Sequence, residues 1–270
     1  MTENYVNLLR LLKGHGSVAV AFSGGVDSTL LLQAAHEALG ENVIAVTAAI
    51  EAVPERELRE AKDFCAALGV RHVLVSPDVL HDAAFTENPP DRCYRCKKLL
   101  FDAILRAAKD HGAAVVVEGS NLDDESDYRP GLRAIAELNV KSPLREAGIT
   151  KDMIRACSRE LGLATWDKPS CACLASRFPY GEGINAEGLR RVDAAETFLQ
   201  ELGFRRVRVR VHGDLARIEA DPDAIARLAA PEMREPVTQT LRGLGFAYVA
   251  LDLTGYRTGS MNETLEKENP

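Results

Sequence analysis

The chain has 270 residues, 46% of them apolar, enough for one large or two modest domains around a buried core, so disordered and fibrous classes are excluded. Its 33 basic and 40 acidic side chains leave a formal charge of −7, which argues against a general nucleic-acid coat or a binder of anionic membranes and confines any anion site to a local pocket. No apolar run approaches the roughly 18 to 20 residues that span a bilayer, and the start lacks the basic lead and small-residue cleavage site of a secretory signal, so the expected address is the cytoplasm.

In chain order, 17–22 (SVAVAF) reads as a buried strand, a loop follows, and 29–39 reads as a helix ended by Gly40, together one βα unit. The run 43–50 (VIAVTAAI) predicts the next strand, 54–68 a helix stopped by Gly69, and 71–75 a third strand. A helix is expected over 99–109 and a continuous apolar strand over 113–118, the pattern of strands covered on both faces. Alternating β and α elements imply an α/β fold with a mostly parallel sheet and helices on both sides. The polar stretch 123–132, with Pro and Gly, is expected as a loop beyond a strand's carboxyl end, where open α/β sheets hold ligands. A capped helix over 150–161 precedes an irregular stretch, 168–183, at whose end the domain boundary is placed, giving a first domain of 1–183.

The last third restarts with a helix over 186–202. The strict alternation of 205–211 (RRVRVRV) puts Arg206, Arg208 and Arg210 on one face and Val207, Val209 and Val211 on the other, which predicts a half-buried strand. Residues 215–219 pair with it through a turn at Gly213 and Asp214, helical segments occupy 222–241, and 247–253 closes a smaller α+β domain assigned to 184–262. The charged tail 263–270 is expected to fray.

Between the first strand and the first helix stands Ser23-Gly24-Gly25-Val26-Asp27-Ser28. Glycines let a backbone approach an anion closely, consecutive N–H groups can point into one concavity, the serines add hydroxyl donors, and the helix amino end adds a favourable dipole. The loop lacks the lysine of a Walker-type motif, so it is not built to hold a terminal phosphate for transfer. The bland alternative is a tight strand-to-helix turn with Asp27 as a helix-start residue.

This SGGxDS loop resembles the PP-loop of the ATP pyrophosphatases, which cleave ATP between the α and β phosphates, form an adenylated substrate and release pyrophosphate. The resemblance implies that Ser23, Gly24, Gly25, Asp27 and Ser28 hold the pyrophosphate, with Asp27 a partner of Mg²⁺, a hard ion suited to oxygen ligands. It narrows over further motifs in one order: Cys93-Tyr94-Arg95-Cys96-Lys97, Glu118-Gly119-Ser120-Asn121-Leu122-Asp123-Asp124, Asp127-Tyr128-Arg129-Pro130-Gly131, Ser142-Pro143-Leu144, Lys168-Pro169-Ser170-Cys171-Ala172-Cys173-Leu174-Ala175-Ser176-Arg177 and Gly255-Tyr256-Arg257-Thr258-Gly259-Ser260-Met261-Asn262. Together these are similar to the LarE family of ATP-dependent sacrificial sulfur transferases. Its members adenylate a pyridinium biscarboxylate mononucleotide and transfer the sulfur of one of their own cysteines to it, for the nickel-pincer nucleotide cofactor. The cysteine is left as dehydroalanine, while in other members a set of cysteines holds an iron–sulfur cluster.

By that resemblance Cys171 or Cys173 donates sulfur, Lys97, Asp127 and Arg129 line the ATP side, and Arg208, Arg210, Arg257 and Glu196 meet the anionic nucleotide. It also implies a homo-oligomer, typically a hexamer. Lys168 and Arg177 bracket the cysteine pair, so a cationic setting that lowers a thiol pKa is available. Cys65 and Cys157 fall in helical patterns and read as small core residues. Cys93 and Cys96, in CxxC spacing, read as a zinc half-site, a redox pair or two ordinary thiols; with Cys171 and Cys173 they make four thiols in two short loops, enough for an iron–sulfur site if the loops meet. The arginine row reads either as a solvated strand face or as a phosphate clamp. Trp166 and Tyr128 read as packing or stacking residues. Competing functions are a tRNA thiolase, for which a broad basic surface is wanting, an ammonia-dependent synthetase of the NAD or GMP type, and a non-catalytic ATP-binding protein.

Overall fold

The computed structural model describes residues 2–126, 130–170, 172–257 and 259–260. Along them run α1 (Glu3–Gly14), β1 (Val18–Ala21), α2 (Val26–Leu39), β2 (Val43–Ala48), α3 (Glu55–Leu68), β3 (Arg71–Val75), the single turn α4 (Ala83–Thr86), α5 (Arg92–Asp110), β4 (Val115–Val117), α6 (Pro130–Glu137), the short α7 (Pro143–Glu146), α8 (Lys151–Glu160), α9 (Ala186–Glu201), β5 (Val207–His212), β6 (Leu215–Ala220), α10 (Ile225–Ala229), α11 (Pro231–Gly243) and β7 (Tyr248–Leu251). Two compact units result, one of Met1–Val79 with Asp91–Cys171, the other of Leu80–Pro90 with Ala172–Pro270.

In the first unit the expected parallel sheet is present, in the order β3-β2-β1-β4, with Val18 opposite both Val43 and Val115. Because strand side chains alternate, Val18 and Val20 enter a core with Tyr5, Leu8, Leu31 and Ile154, and Ala19 enters one with Ile44, Phe101, Ile104 and Ile135. Helices therefore cover both faces, and the central strands read as unbroken apolar runs. The helix α1, for which no element is expected above, carries Tyr5, Leu8 and Leu12 at helical spacing on its buried side and is capped by Thr2.

One expectation needs a correction that bears on function. The helix expected over 99–109 begins at Arg92, so Cys93 and Cys96 lie on its first two turns rather than in a loop. The segment preceding Leu99 is charged and carries no apolar periodicity that would betray a helix. Its start is stabilised instead by an i,i+4 pair, Arg95 Nε to Asp91 Oδ2 at 2.8 Å. Likewise helix α6 begins at Pro130, inside the stretch expected as a loop over 123–132, where Pro at the first helical position costs no hydrogen bond.

In the second unit β5 pairs antiparallel with β6, and β6 parallel with β7, in the order β5-β6-β7. Val207 and Val209 are fully buried with Leu189, Val192 and Leu199 of α9. This unit takes in 172–183 and also 80–90, both expected in the first domain. The tie is polar: the buried Asn88 amide donates to the carbonyls of Phe178 and Pro179, at 3.2 and 2.6 Å. Among the described residues no helix is long and apolar enough to cross a membrane.

Candidate active site

The loop from Ser23 to Ser28 joins the carboxyl end of β1 to the amino end of α2. Gly24 has φ +70°, a left-handed conformation that a side chain at this position would resist. Gly25 is the N-cap of α2 and supplies no side-chain cap, so the helix amino end is not blocked by its own residue. Ser28 Oγ accepts from the Ser23 backbone N–H at 3.3 Å, lies 3.1 Å from Ser23 Oγ and donates to the Gly25 carbonyl at 3.2 Å. A Cβ on Gly119, just beyond β4, would lie 3.1 Å from the Ser28 nitrogen, so the neighbouring strand end closes tightly on the loop.

Asp27 is not the isolated acid that its motif suggests. Lys151, the first residue of α8, places Nζ 2.8 and 2.6 Å from its two carboxylate oxygens, and Asn121 donates to Oδ1 at 3.3 Å. The Lys151 backbone N–H in turn donates to Asp123 Oδ2 at 2.8 Å. Lys168 donates to the Gly24 carbonyl at 3.0 Å, to Glu57 at 2.6 Å and to Glu60 at 2.7 Å. Neither lysine is adjacent to the loop in sequence, and the one available signal was an acidic motif lacking a basic partner.

A cavity of about 320 Å³ opens at the carboxyl ends of β1, β2 and β4, lined by Ser23, Asp27, Ser28, Thr47, Lys97, Glu118 and Asp124 on its polar side and by Val46, Val53, Phe101 and Ile104 on its apolar side. Its volume and mixed lining suit a nucleotide whose base rests against carbon and whose phosphates face the loop. Asp27 and Asp124, with the serine hydroxyls, are hard oxygen donors, a set that fits Mg²⁺ carried in on phosphates. The buried Glu118 carboxylate accepts from Ser120 Oγ at 2.8 Å and Ser142 Oγ at 2.5 Å. The Lys97 stem lies where a side chain on Gly131 would be, within 2.6 Å of its Cβ position. Asp127, Tyr128 and Arg129 lie outside the described residues.

The cysteines separate by burial. Cys65 is 1% exposed and burial pushes its thiol up to about 12; burial, with Glu160 adding to it, also raises Cys157. Cys93 and Cys173 are exposed, Cys96 half-buried, and Cys171 lies outside the described residues. Arg92 Nη2 sits 3.8 Å from the Cys93 sulfur. Among the described residues no group of three or more His, Cys, Asp or Glu is arranged to hold a metal ion. Of the cations that bracket the cysteine pair, Lys168 binds two carboxylates and Arg177 pairs with Glu196.

That buried Arg177–Glu196 pair is bidentate, at 2.8 and 2.7 Å. Arg177 Nη1 also donates to the carbonyls of Ala172 and Cys173 at 2.9 and 3.1 Å, holding the cysteine-bearing turn. Glu196 Oε1 further accepts from the Val209 N–H at 2.9 Å. Glu196 is thus occupied within the fold. Arg208 and Arg210, expected on a solvated or half-buried face, are 7% and 8% exposed. The reason is nonlocal: Arg210 Nη2 donates to Glu219 and Ser260, both at 2.9 Å, Arg210 Nη1 donates to the Ser176 carbonyl at 2.6 Å, and the Arg208 guanidinium lies 5.3 Å from the Tyr256 ring centroid. Arg257 donates to Thr254 Oγ1 and, at 3.4 Å, to the Gly255 carbonyl. The structure therefore gathers Arg208, Arg210 and the stretch after β7 on one side of the small sheet, while Arg206 stays exposed on Asp221. Trp166 is 38% exposed, 5.1 Å beneath the Arg159 guanidinium.

Comparison with known proteins agrees with this geometry. Residues 1–128 match the PP-loop domain family. An uncharacterized protein of Synechocystis sp. is 42% identical over 268 residues, covering 99% of this chain and 100% of the relative. The pyridinium-3,5-bisthiocarboxylic acid mononucleotide synthase of Lactiplantibacillus plantarum is 41% identical over 261 residues, covering 96% and 94%. The argininosuccinate synthase of Haloarcula marismortui is 30% identical over 162 residues, 56% of this chain and 38% of that enzyme, a likeness restricted to part of each chain. Near-complete two-way coverage at this identity, joined to a PP-loop set at the mouth of a nucleotide-sized cavity, means that the chain belongs to the LarE family of PP-loop, ATP-dependent sulfur transferases.

Proposed function

We propose that this chain converts a carboxylate of pyridinium-3,5-biscarboxylic acid mononucleotide to a thiocarboxylate at the expense of ATP. The observation that carries the reading is the PP-loop with Asp27, Ser23 and Ser28 facing a cavity at the sheet's carboxyl edge. ATP, with Mg²⁺ on its phosphates, occupies that cavity; loop N–H groups and the α2 dipole stabilise the charge that collects on the departing pyrophosphate. Lys97 and Lys151 supply cations on the same side, and Asp127 and Arg129 are assigned to the ATP by the family's motif.

A carboxylate resists a thiol because it is anionic and its oxygen leaves poorly. Attack of the carboxylate oxygen on the α phosphorus forms an acyl adenylate and expels pyrophosphate, which removes both obstacles. A thiolate at Cys171 or Cys173 then displaces AMP to form a thioester. Removal of the cysteine Cα proton with cleavage of its Cβ–S bond releases the thiocarboxylate and leaves dehydroalanine. Arg208, Arg210 and Arg257 are assigned to the substrate phosphate; Arg210 reaches it by exchanging one of its present partners. Glu196 acts through Arg177. A cluster on three of Cys93, Cys96, Cys171 and Cys173 is the alternative sulfur source, and assembly as a homo-oligomer, typically a hexamer in the family, completes the proposal.

Intact-protein mass after incubation with ATP, Mg²⁺ and the biscarboxylate tests this. Loss of the elements of H₂S at Cys171 or Cys173, with pyrophosphate released, is the expected result. Thiolated product from a chain of unchanged mass would transfer the sulfur role to a cluster or external donor. An absence of pyrophosphate would overturn the adenylation step.

A further inference from the structure

Lys168 spends all three ammonium hydrogens inside the first unit. Its side chain is 13% exposed, and it bridges the Gly24 carbonyl at 3.0 Å, the buried Glu57 at 2.6 Å and the more open Glu60 at 2.7 Å. Burial alone would lower its pKa, but Glu57 and Glu60 outweigh that and raise it, so the cation persists throughout the neutral range.

The bond to Gly24 has a geometric consequence. A trans peptide points its carbonyl and its N–H in opposite directions. With the Gly24 oxygen held by Lys168, the N–H of the same peptide, on Gly25, turns towards Ser23 Oγ at 3.4 Å, and Ser23 lines the cavity. The conformation being fixed is one at φ +70°, and glycine on its own has several alternatives to it. The lysine is itself held by its backbone: Arg155 of α8 donates to the carbonyls of Trp166 and Lys168 at 2.6 and 3.1 Å, one turn beyond Lys151 and on the same helix face. One helix therefore presents a cation to Asp27 and anchors the segment whose lysine orients the loop backbone. That segment reaches Cys171 three residues later.

We propose that Lys168 is a positioning residue for pyrophosphate release, setting the Gly24–Gly25 peptide so that its N–H faces the nucleotide phosphates, while its charge neutralises Glu57 and Glu60 beside them. The inference rests on the PP-loop reading, so pyrophosphate release by the unaltered chain is measured first; its absence would overturn that reading and not this one.

Each chain spends its cysteine once, so KM here is the Mg-ATP concentration giving half the limiting single-turnover rate of pyrophosphate release, and kcat is that limiting rate. Given that release, Lys168→Ala is expected to raise the KM at least about tenfold, with a smaller fall in kcat, because the loss is in phosphate binding. Ethylammonium is expected to restore the rate in a concentration-dependent way with only the small rise in thermal midpoint that a weak ligand of the folded chain brings, since a small cation refills the site without rebuilding the chain. KM and kcat within twofold of the unaltered chain would overturn the proposal, as would amine rescue seen only where the amine restores the thermal midpoint of the unaltered chain. Lys168→Arg serves where the alanine variant does not fold. It keeps the charge for Glu57 and Glu60, but its planar guanidinium does not reproduce the ammonium's third, carbonyl-directed bond. KM for Mg-ATP at least about fivefold higher is expected of it, and an unchanged KM would overturn the proposal.

Discussion

Lys151 closes on Asp27 from α8, its ammonium 2.6 Å from one carboxylate oxygen and 2.8 Å from the other, although 124 residues separate the two in sequence. The pair is partly open, with side chains 33% and 25% exposed, so its worth to folding is about 0 to 1 kcal/mol. Asp27→Asn is therefore expected to shift the thermal midpoint by no more than about 4 °C. Pyrophosphate release should fall by roughly 100-fold, the scale of removing one electrostatic group from a phosphoryl-transfer site. A variant that loses stability and activity in proportion would reassign Asp27 to the fold.

The Arg177–Glu196 pair calls for the opposite pattern. Both groups are buried, and Glu196 also accepts from the Val209 N–H, so truncation strands a guanidinium and a strand amide together. Glu196→Ala is expected to cost about 3 to 5 kcal/mol in urea unfolding of the second unit. Glu196→Gln keeps an acceptor for Val209 and should cost less. Equal stability of the alanine variant and the unaltered chain would return Glu196 to the substrate.

These two pairs mark what sequence reasoning reached and where it stopped. The βα order and the PP-loop were readable because strand runs such as VIAVTAAI and a glycine turn are local signals. The lysine on Asp27 was not, since nothing near residue 27 points to residue 151. Alternation correctly put Arg208 and Arg210 on the face opposite Val207 and Val209. It could not tell that Glu219 from the next strand, Tyr256 and Ser260 cover that face, because a period of two describes one strand and not what lies over it. The CxxC was misplaced for a related reason: the first turn of α5 is charged, and its helicity is supported by the apolar turns that follow.

Thiol chemistry should follow burial. In the folded chain at about pH 8, iodoacetamide is expected to modify Cys93 ahead of Cys65 and Cys157, because the thiolate is the reacting form, burial raises the pKa of both core thiols, and the alkylating agent has no access to them. Peptide mapping before and after denaturation checks this. Modification of Cys65 at the rate of Cys93 in the folded chain would contradict its place in the core. Ser substitution at the donor, Cys171 or Cys173, should stop thiolation and leave pyrophosphate release running.

Acid sensitivity should reside partly in His72. Its Nε2 lies 2.8 Å from Thr47 Oγ1, and Thr47 donates its own hydrogen to the Phe22 carbonyl at 2.7 Å, so Nε2 carries the proton of the neutral ring. A second proton must enter a half-buried imidazole; burial, and then Lys62, hold its pKa below the ordinary 6.5. A folded pKa below the unfolded one means that the unfolded chain binds the proton more readily. The resulting stability is whole above about pH 6.5 and is lost as pH falls through that value towards the folded pKa. The thermal midpoint should accordingly drop between about pH 7 and pH 5. His72→Gln keeps an N–H for Thr47 and removes the titration, so its midpoint should fall less over the same interval. Parallel curves for the two chains would remove His72 as a cause.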